Sequence, residues 1–186
     1  MREVPLMQLR RLVLASLMAA LTAVGAYIHI PLGPVPIVLQ NLFVLLAGLL
    51  LGPRWGAASI GVYVLVGACG LPVFAGGKGG LATLAGPTGG YLAGFVLGAL
   101  VVGWIAHSGS RRTVWDIAAV ALGTLIIYAC GIPWLKLVTA WSWDKALMVG
   151  LAPFVLGDVG KAIVAVMLSK ALRPLMDRGD PQQVYA

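Results

Sequence analysis

Long apolar runs alternate with short connections rich in helix breakers, and this pattern sets the expected architecture. The first run, 12–30, contains no Asp, Glu, Lys or Arg. About 20 apolar residues are what an α-helix needs to cross a hydrocarbon core. The run is also long for the apolar region of a secretory signal, so it reads as a span. Further runs cover 38–51, 56–71, 91–106, 114–132 and 146–169. Some fall short of a full crossing, which tilt or an early end accommodates. The pattern predicts an all-α integral membrane protein with six transmembrane helices, forming a single transmembrane domain over 1–186. Between the runs, "HIPLGPVPI" (29–37) carries three prolines and "FAGGKGGLATLAGPTGGY" (74–91) seven glycines, so neither is regular helix throughout.

Composition supports a lipid environment. Of the 186 residues, 60% are hydrophobic and only 10% charged, with a mean hydropathy of +0.97. A soluble domain carries about a quarter of its residues as charges. The 25 glycines suit close helix packing in lipid. A net charge of +7 raises nucleic acid as a partner, but the basic residues are scattered and form no face interleaved with aromatics. They follow membrane topology instead. With the N-terminus inside, Arg2, Arg10, Arg11, Arg54, Arg111, Arg112, Lys170, Arg173 and Arg178 fall on the cytoplasmic side. Lys78, Lys136 and Lys145 fall outside, and Lys161 within the membrane. Both termini are then cytoplasmic. Trp134, Trp141 and Trp143 mark the outer interface, and Trp55, Trp104 and Trp115 the inner one. Cys69 and Cys130 form no C-x-x-C pair and read as reduced packing residues.

This orientation puts 29–37, 74–91 and 132–145 on the same external face. Irregular backbone near membrane depth is tolerated where it is packed in protein or lines a cavity, so these loops suggest the lid and walls of an outward-opening pocket. Within "PFVLGDVGKA" (153–162), Asp158 and Lys161 share a helix face in an otherwise apolar run, and Asp158 is taken as the only acid within a span. Ionisable residues inside a membrane cost about 2.5–3.5 kcal/mol on insertion scales and usually serve function. One reading is an ion pair bracing the bundle. The other is ligand recognition: a carboxylate accepts N–H bonds and an ammonium donates to a carbonyl, which complements a ureido or amide ring or a zwitterion. Gly157 and Gly160 are expected to let a ligand approach the backbone, and Pro153 to interrupt the helix beside it. Gln40, Asn41, Thr83, Thr88 and Tyr91 are further polar candidates, with helix-end or packing roles equally open. Lys78 reads as a solvated loop charge or a ligand contact. Ala15, Ala19 and Ala23 recur every four residues, a small-residue stripe suited to close helix approach or to docking a partner subunit.

Catalytic chemistry is sparse. "GGKGG" lacks the G-x-x-x-x-G-K-[ST] spacing of a phosphate-binding loop, so the chain is not expected to hydrolyse ATP. His29 and His107 lack metal-ligand spacing, and no nucleophile elbow occurs. Neither an enzyme activity, a metal site nor a cofactor is expected.

Three blocks in order, "IPLGPVPIVLQNLFVLLAGLLLGPRWG" (30–56), "GLPVFAGGKGGLATLAGPTGGYLAGF" (70–95) and "PFVLGDVGKA" (153–162), resemble the BioY family, the biotin-binding substrate (S) components of energy-coupling factor (ECF) vitamin transporters. The resemblance spans essentially the whole chain. It implies a six-helix S-component bundle in a bacterial-type cell membrane, capturing biotin from outside. It also implies biotin contacts at Asp158, Lys161, Gln40 and Tyr91. The Ala15–Ala19–Ala23 stripe would meet the transmembrane coupling subunit, with two ATPase subunits supplying energy. Lys78 departs from the small residue expected at its position. A solitary carrier, a homo-oligomer and a non-binding structural subunit remain the alternatives.

Overall fold

A computed structural model describes residues 6–31, 34–109 and 112–177. Residues 32 and 33 of the expected lid, and Arg2, Arg111 and Arg178 of the charge pattern, lie outside the described residues. The order is α1 (Leu6–Tyr27), β1 (His29–Ile30), β2 (Ile37–Val38), α2 (Gln40–Ala68), α3 (Leu81–Ala85), α4 (Gly89–Ser108), α5 (Thr113–Thr139), α6 (Trp143–Gly150) and α7 (Val155–Asp177). The two short strands form an antiparallel ribbon pairing His29 with Val38 and Ile30 with Ile37. Four of the helices are long and apolar enough to cross a membrane, and α6 with α7, bent by 46° at their break, make a fifth candidate.

α2 is not one rod. Gly52 sits at φ 79°, ψ −177°, inside "LLLGPRWG", and Pro53 follows it. Only glycine adopts this backbone without strain. Here the chain doubles back: the Gln40 amide nitrogen donates to the Tyr63 hydroxyl at 2.8 Å. In a straight helix, at 1.5 Å per residue, those positions would lie about 35 Å apart. Segments 40–51 and 53–68 are therefore antiparallel arms of a hairpin.

Glycine also brings α4 against α5. A Cβ placed at Gly94 would lie 3.0 Å from the Ile127 backbone, and one at Gly98 would lie 3.0 Å from the Ile127 side chain. With no side chain on that ridge the helices approach closely, which in lipid is a main source of association. α5 itself runs past Pro133 to Thr139. Most of 132–145, expected as an external loop, is thus helix.

One end of the bundle is closed by charge. Both terminal guanidinium nitrogens of Arg173 donate to the Asp116 carboxylate, at 2.7 and 2.8 Å, and one also donates to the Leu49 carbonyl at 3.2 Å. Asp116 is fully buried and Arg173 nearly so. This corrects one expectation: Asp158 is not the only acid within a predicted span, since 114–132 includes Asp116. Arg173 ties α7 to α5 and to the first arm of α2. Close by, Arg10 donates to the Met176 carbonyl, so the start of α1 lies beside the end of α7.

Candidate functional site

The opposite end holds a cavity of about 480 Å³. Its walls are the β1–β2 ribbon, the start of α2, the glycine-rich segment before α4, Tyr91 and Phe95 of α4, Tyr128 of α5, and the α6–α7 junction with α7. Nothing from 132–145 lines it. The end of α1 is tied to the chain just before the glycine-rich segment: the Tyr27 hydroxyl donates to the Pro72 carbonyl. Phe74, almost fully buried, packs edge-on against Tyr63 with ring centroids 5.6 Å apart.

The break before α7 sets the polar centre. α6 is capped by Ser142, whose hydroxyl accepts from the Lys145 amide in N-cap fashion, and ends at Gly150. A turn through Pro153 follows, and α7 begins at Val155. The Tyr91 hydroxyl donates to the Gly150 carbonyl at 2.8 Å, satisfying a group left over at the interruption. Asp158 then lies in the first turn of α7, where a helix N-terminus favours a carboxylate.

Three donors from three helices converge on Asp158. Lys161 Nζ lies 2.7 Å from Oδ1. The Tyr128 hydroxyl donates to Oδ2 at 2.5 Å and the Asn41 amide to the same oxygen at 3.2 Å. Asp158 is only 4% exposed. A carboxylate offers about four acceptor positions, so it keeps capacity for a further donor. The Asn41 nitrogen faces Asp158, which leaves the amide oxygen as an acceptor beside it. The arrangement presents acceptors next to an ammonium, inside apolar walls that include Leu92, Phe95 and Phe154.

All four predicted ligand residues, Asp158, Lys161, Gln40 and Tyr91, line this cavity. Two carry internal bonds as well: Gln40 braces the α2 hairpin through Tyr63, and Tyr91 holds the α6–α7 break. Gly157 and Gly160 are placed differently from expectation. They lie on the exposed face of α7, away from the cavity lining, because a helix that turns Asp158 and Lys161 inward turns the intervening positions out. The alanine stripe also turns inward. Ala15 and Ala19 are buried, Ala23 packs against the core, and the Ala15 carbonyl accepts from the Ser59 hydroxyl on α2 at 2.6 Å. Its close approach is to this chain's own second helix, one of the two roles the spacing allows. Tyr128 is the residue sequence reasoning missed. Its only signal is a phenol in the apolar 114–132 run, and nothing local pairs it with a position 30 residues away.

Fold and cavity together define a multi-pass membrane protein with a polar cluster in an apolar-walled cavity at one end. The chain belongs to the BioY family, whose model matches residues 1–178. It is 46% identical over 167 residues to the biotin transporter BioY of Thermotoga maritima, covering 90% of this chain and 98% of that one. Over 177 residues it is 43% identical to the biotin transporter BioY of Rhizobium etli, covering 89% and 94%. Among solved structures, the S-component for biotin from an ECF-type ABC transporter superposes with a TM-score of 0.86 at 30% identity, covering 92% of this chain and 94% of that one.

Proposed function

We propose that this chain is the biotin-capturing S-component of an ECF-type transporter, working with a transmembrane coupling subunit and two ATPase subunits rather than as an enzyme. The observation that carries the reading is the Asp158–Lys161–Asn41–Tyr128 cluster in an apolar cavity, in a chain whose relatives are biotin transporters. Biotin's ureido ring has two N–H donors and one carbonyl acceptor. Asp158 takes one N–H and Lys161 donates to the carbonyl. The apolar walls take the thiophane ring and aliphatic chain, with Gln40 and Tyr91 completing the pocket. An isolated ammonium or carboxylate at this depth would be costly, and each lies 2.7 Å from its partner before any ligand arrives.

The same reading has six membrane spans in one domain, with the arms 40–51 and 53–68 counted separately and α6–α7 as one broken span. Cytoplasmic termini are supported by charge. Arg10, Arg54, Arg112, Lys170 and Arg173 gather toward the end opposite the cavity, while Lys78, Lys136 and Lys145 belong to the cavity end. The pocket then opens to the outside of the cell membrane.

The test is calorimetric titration of the detergent-solubilised chain with biotin, dethiobiotin competing because it keeps the ureido ring and lipoate failing because it lacks one. Saturable biotin binding that lipoate does not displace is the expected result. Folded protein that binds no biotin sinks the proposal.

A further inference from the structure

Among the described residues, one acidic and two lysine side chains line the cavity: Asp158, Lys78 and Lys161. Asp158 and Lys161 neutralise each other at 2.7 Å. Among the described residues no carboxylate lies within ion-pair distance of Lys78, so the lining carries one uncompensated positive charge. The two regions of the cavity differ accordingly. Asp158 and Lys161 lie at its enclosed part, whereas Lys78 is exposed while still lining it.

The backbone that carries Lys78 is held by hydrogen bonds. The Phe74 amide donates to the Lys78 carbonyl at 2.9 Å and the Gly77 amide to the Phe74 carbonyl at 3.0 Å, closing a tight turn anchored by the buried Phe74 ring. Gly76 and Gly77 hold φ of 73° and 70°, a backbone that disfavours any side chain. In "GGKGG" Lys78 is therefore the one residue whose side chain reaches out of a rigid, otherwise bare turn.

We propose that Lys78 binds the carboxylate of the transported ligand, so that the pocket reads both ends of an amphiphilic anion: a hydrogen-bonding ring at Asp158–Lys161 and a negative tail at the rim. This inference rests on the biotin reading above, because it takes the ligand's ring to occupy the enclosed part of the cavity. A charge-assisted bond from a lysine to a carboxylate is stronger than a neutral one, and it vanishes when the acid is esterified.

The experiment compares biotin with biotin methyl ester on the wild-type chain, Lys78→Gln and Lys78→Glu, by calorimetry in detergent. Lys78→Gln keeps a polar side chain at an exposed position, and circular dichroism checks that each variant is folded. The expected result is that Lys78→Gln weakens biotin about tenfold while changing the ester by less than about twofold, and that Lys78→Glu weakens biotin further. Wild-type biotin binding with both ligands altered equally, or neither altered, overturns the role of Lys78 and leaves the biotin reading intact. A folded wild-type chain that binds neither ligand overturns both.

Discussion

Asp158 shows how one side chain acquires a role from its surroundings. Its carboxylate is held by an ammonium, a phenol and an amide from three separate helices, so its position is set before any ligand arrives. Replacing Asp158 with Asn removes the counter-charge of Lys161, and Lys161→Ala leaves a buried carboxylate with neutral donors only. Each substitution is expected to weaken biotin binding about tenfold or more, because a buried polar group loses its partner. Tyr128→Phe removes one of three donors and is expected to cost about threefold to tenfold, with the same ranking for dethiobiotin. Near-native affinity in all three variants, read by calorimetry, would refute the ureido assignment while leaving family membership untouched. The Asp158–Lys161 spacing was legible in the sequence because an i, i+3 pair on a helix meets by local geometry alone. Tyr128 was not, because a contact across 30 residues depends on how α5 packs against α7.

At the scale of elements, the decisive features are interruptions. Gly52 turns what reads as two apolar runs into a tight hairpin, and the break at 151–154 aims the first turn of α7 into the cavity. Gly52→Ala would force an L-residue into a left-handed backbone and place its Cβ 3.3 Å from the His107 ring. It is expected to destabilise the protein by about 1–3 kcal/mol, seen as a lower melting temperature in detergent. Gly157→Ala adds a methyl where nothing lies within 4 Å, in a helix that alanine favours, and is expected to be neutral or slightly stabilising. Equal melting temperatures for the two variants would contradict the hairpin geometry. The apolar runs overlap the long helices, since a membrane helix is specified largely by its own length and apolarity. The end of α5 was misjudged at Pro133: proline removes one donor, but the helix continues through it when neighbouring groups satisfy the backbone.

For the whole molecule, the two ends of the bundle do different work. Arg173, Asp116 and the Leu49 carbonyl lock three helices at one end, while the cavity, the ribbon and the glycine-rich turn occupy the other. Arg173→Met alone strands a buried carboxylate and is expected to cost about 3–5 kcal/mol. Adding Asp116→Leu removes that charge, so the double variant should melt above the single one. A double variant less stable than Arg173→Met would show that the two residues do not act as a pair. The sequence by itself determined that the chain is a helical membrane protein, which runs are helices, and that an acid and a lysine share one face of α7. It did so because lipid imposes length and apolarity on each segment separately, and because helical spacing is local. Only the tertiary structure decided that Asp116 answers Arg173, that Tyr128 and Asn41 hold Asp158, and that the alanine stripe faces inward. It also brought Lys78, which the sequence favoured as a solvated loop charge, to the cavity lining. Each of these depends on which helix faces which, a choice made by packing between residues far apart in the chain.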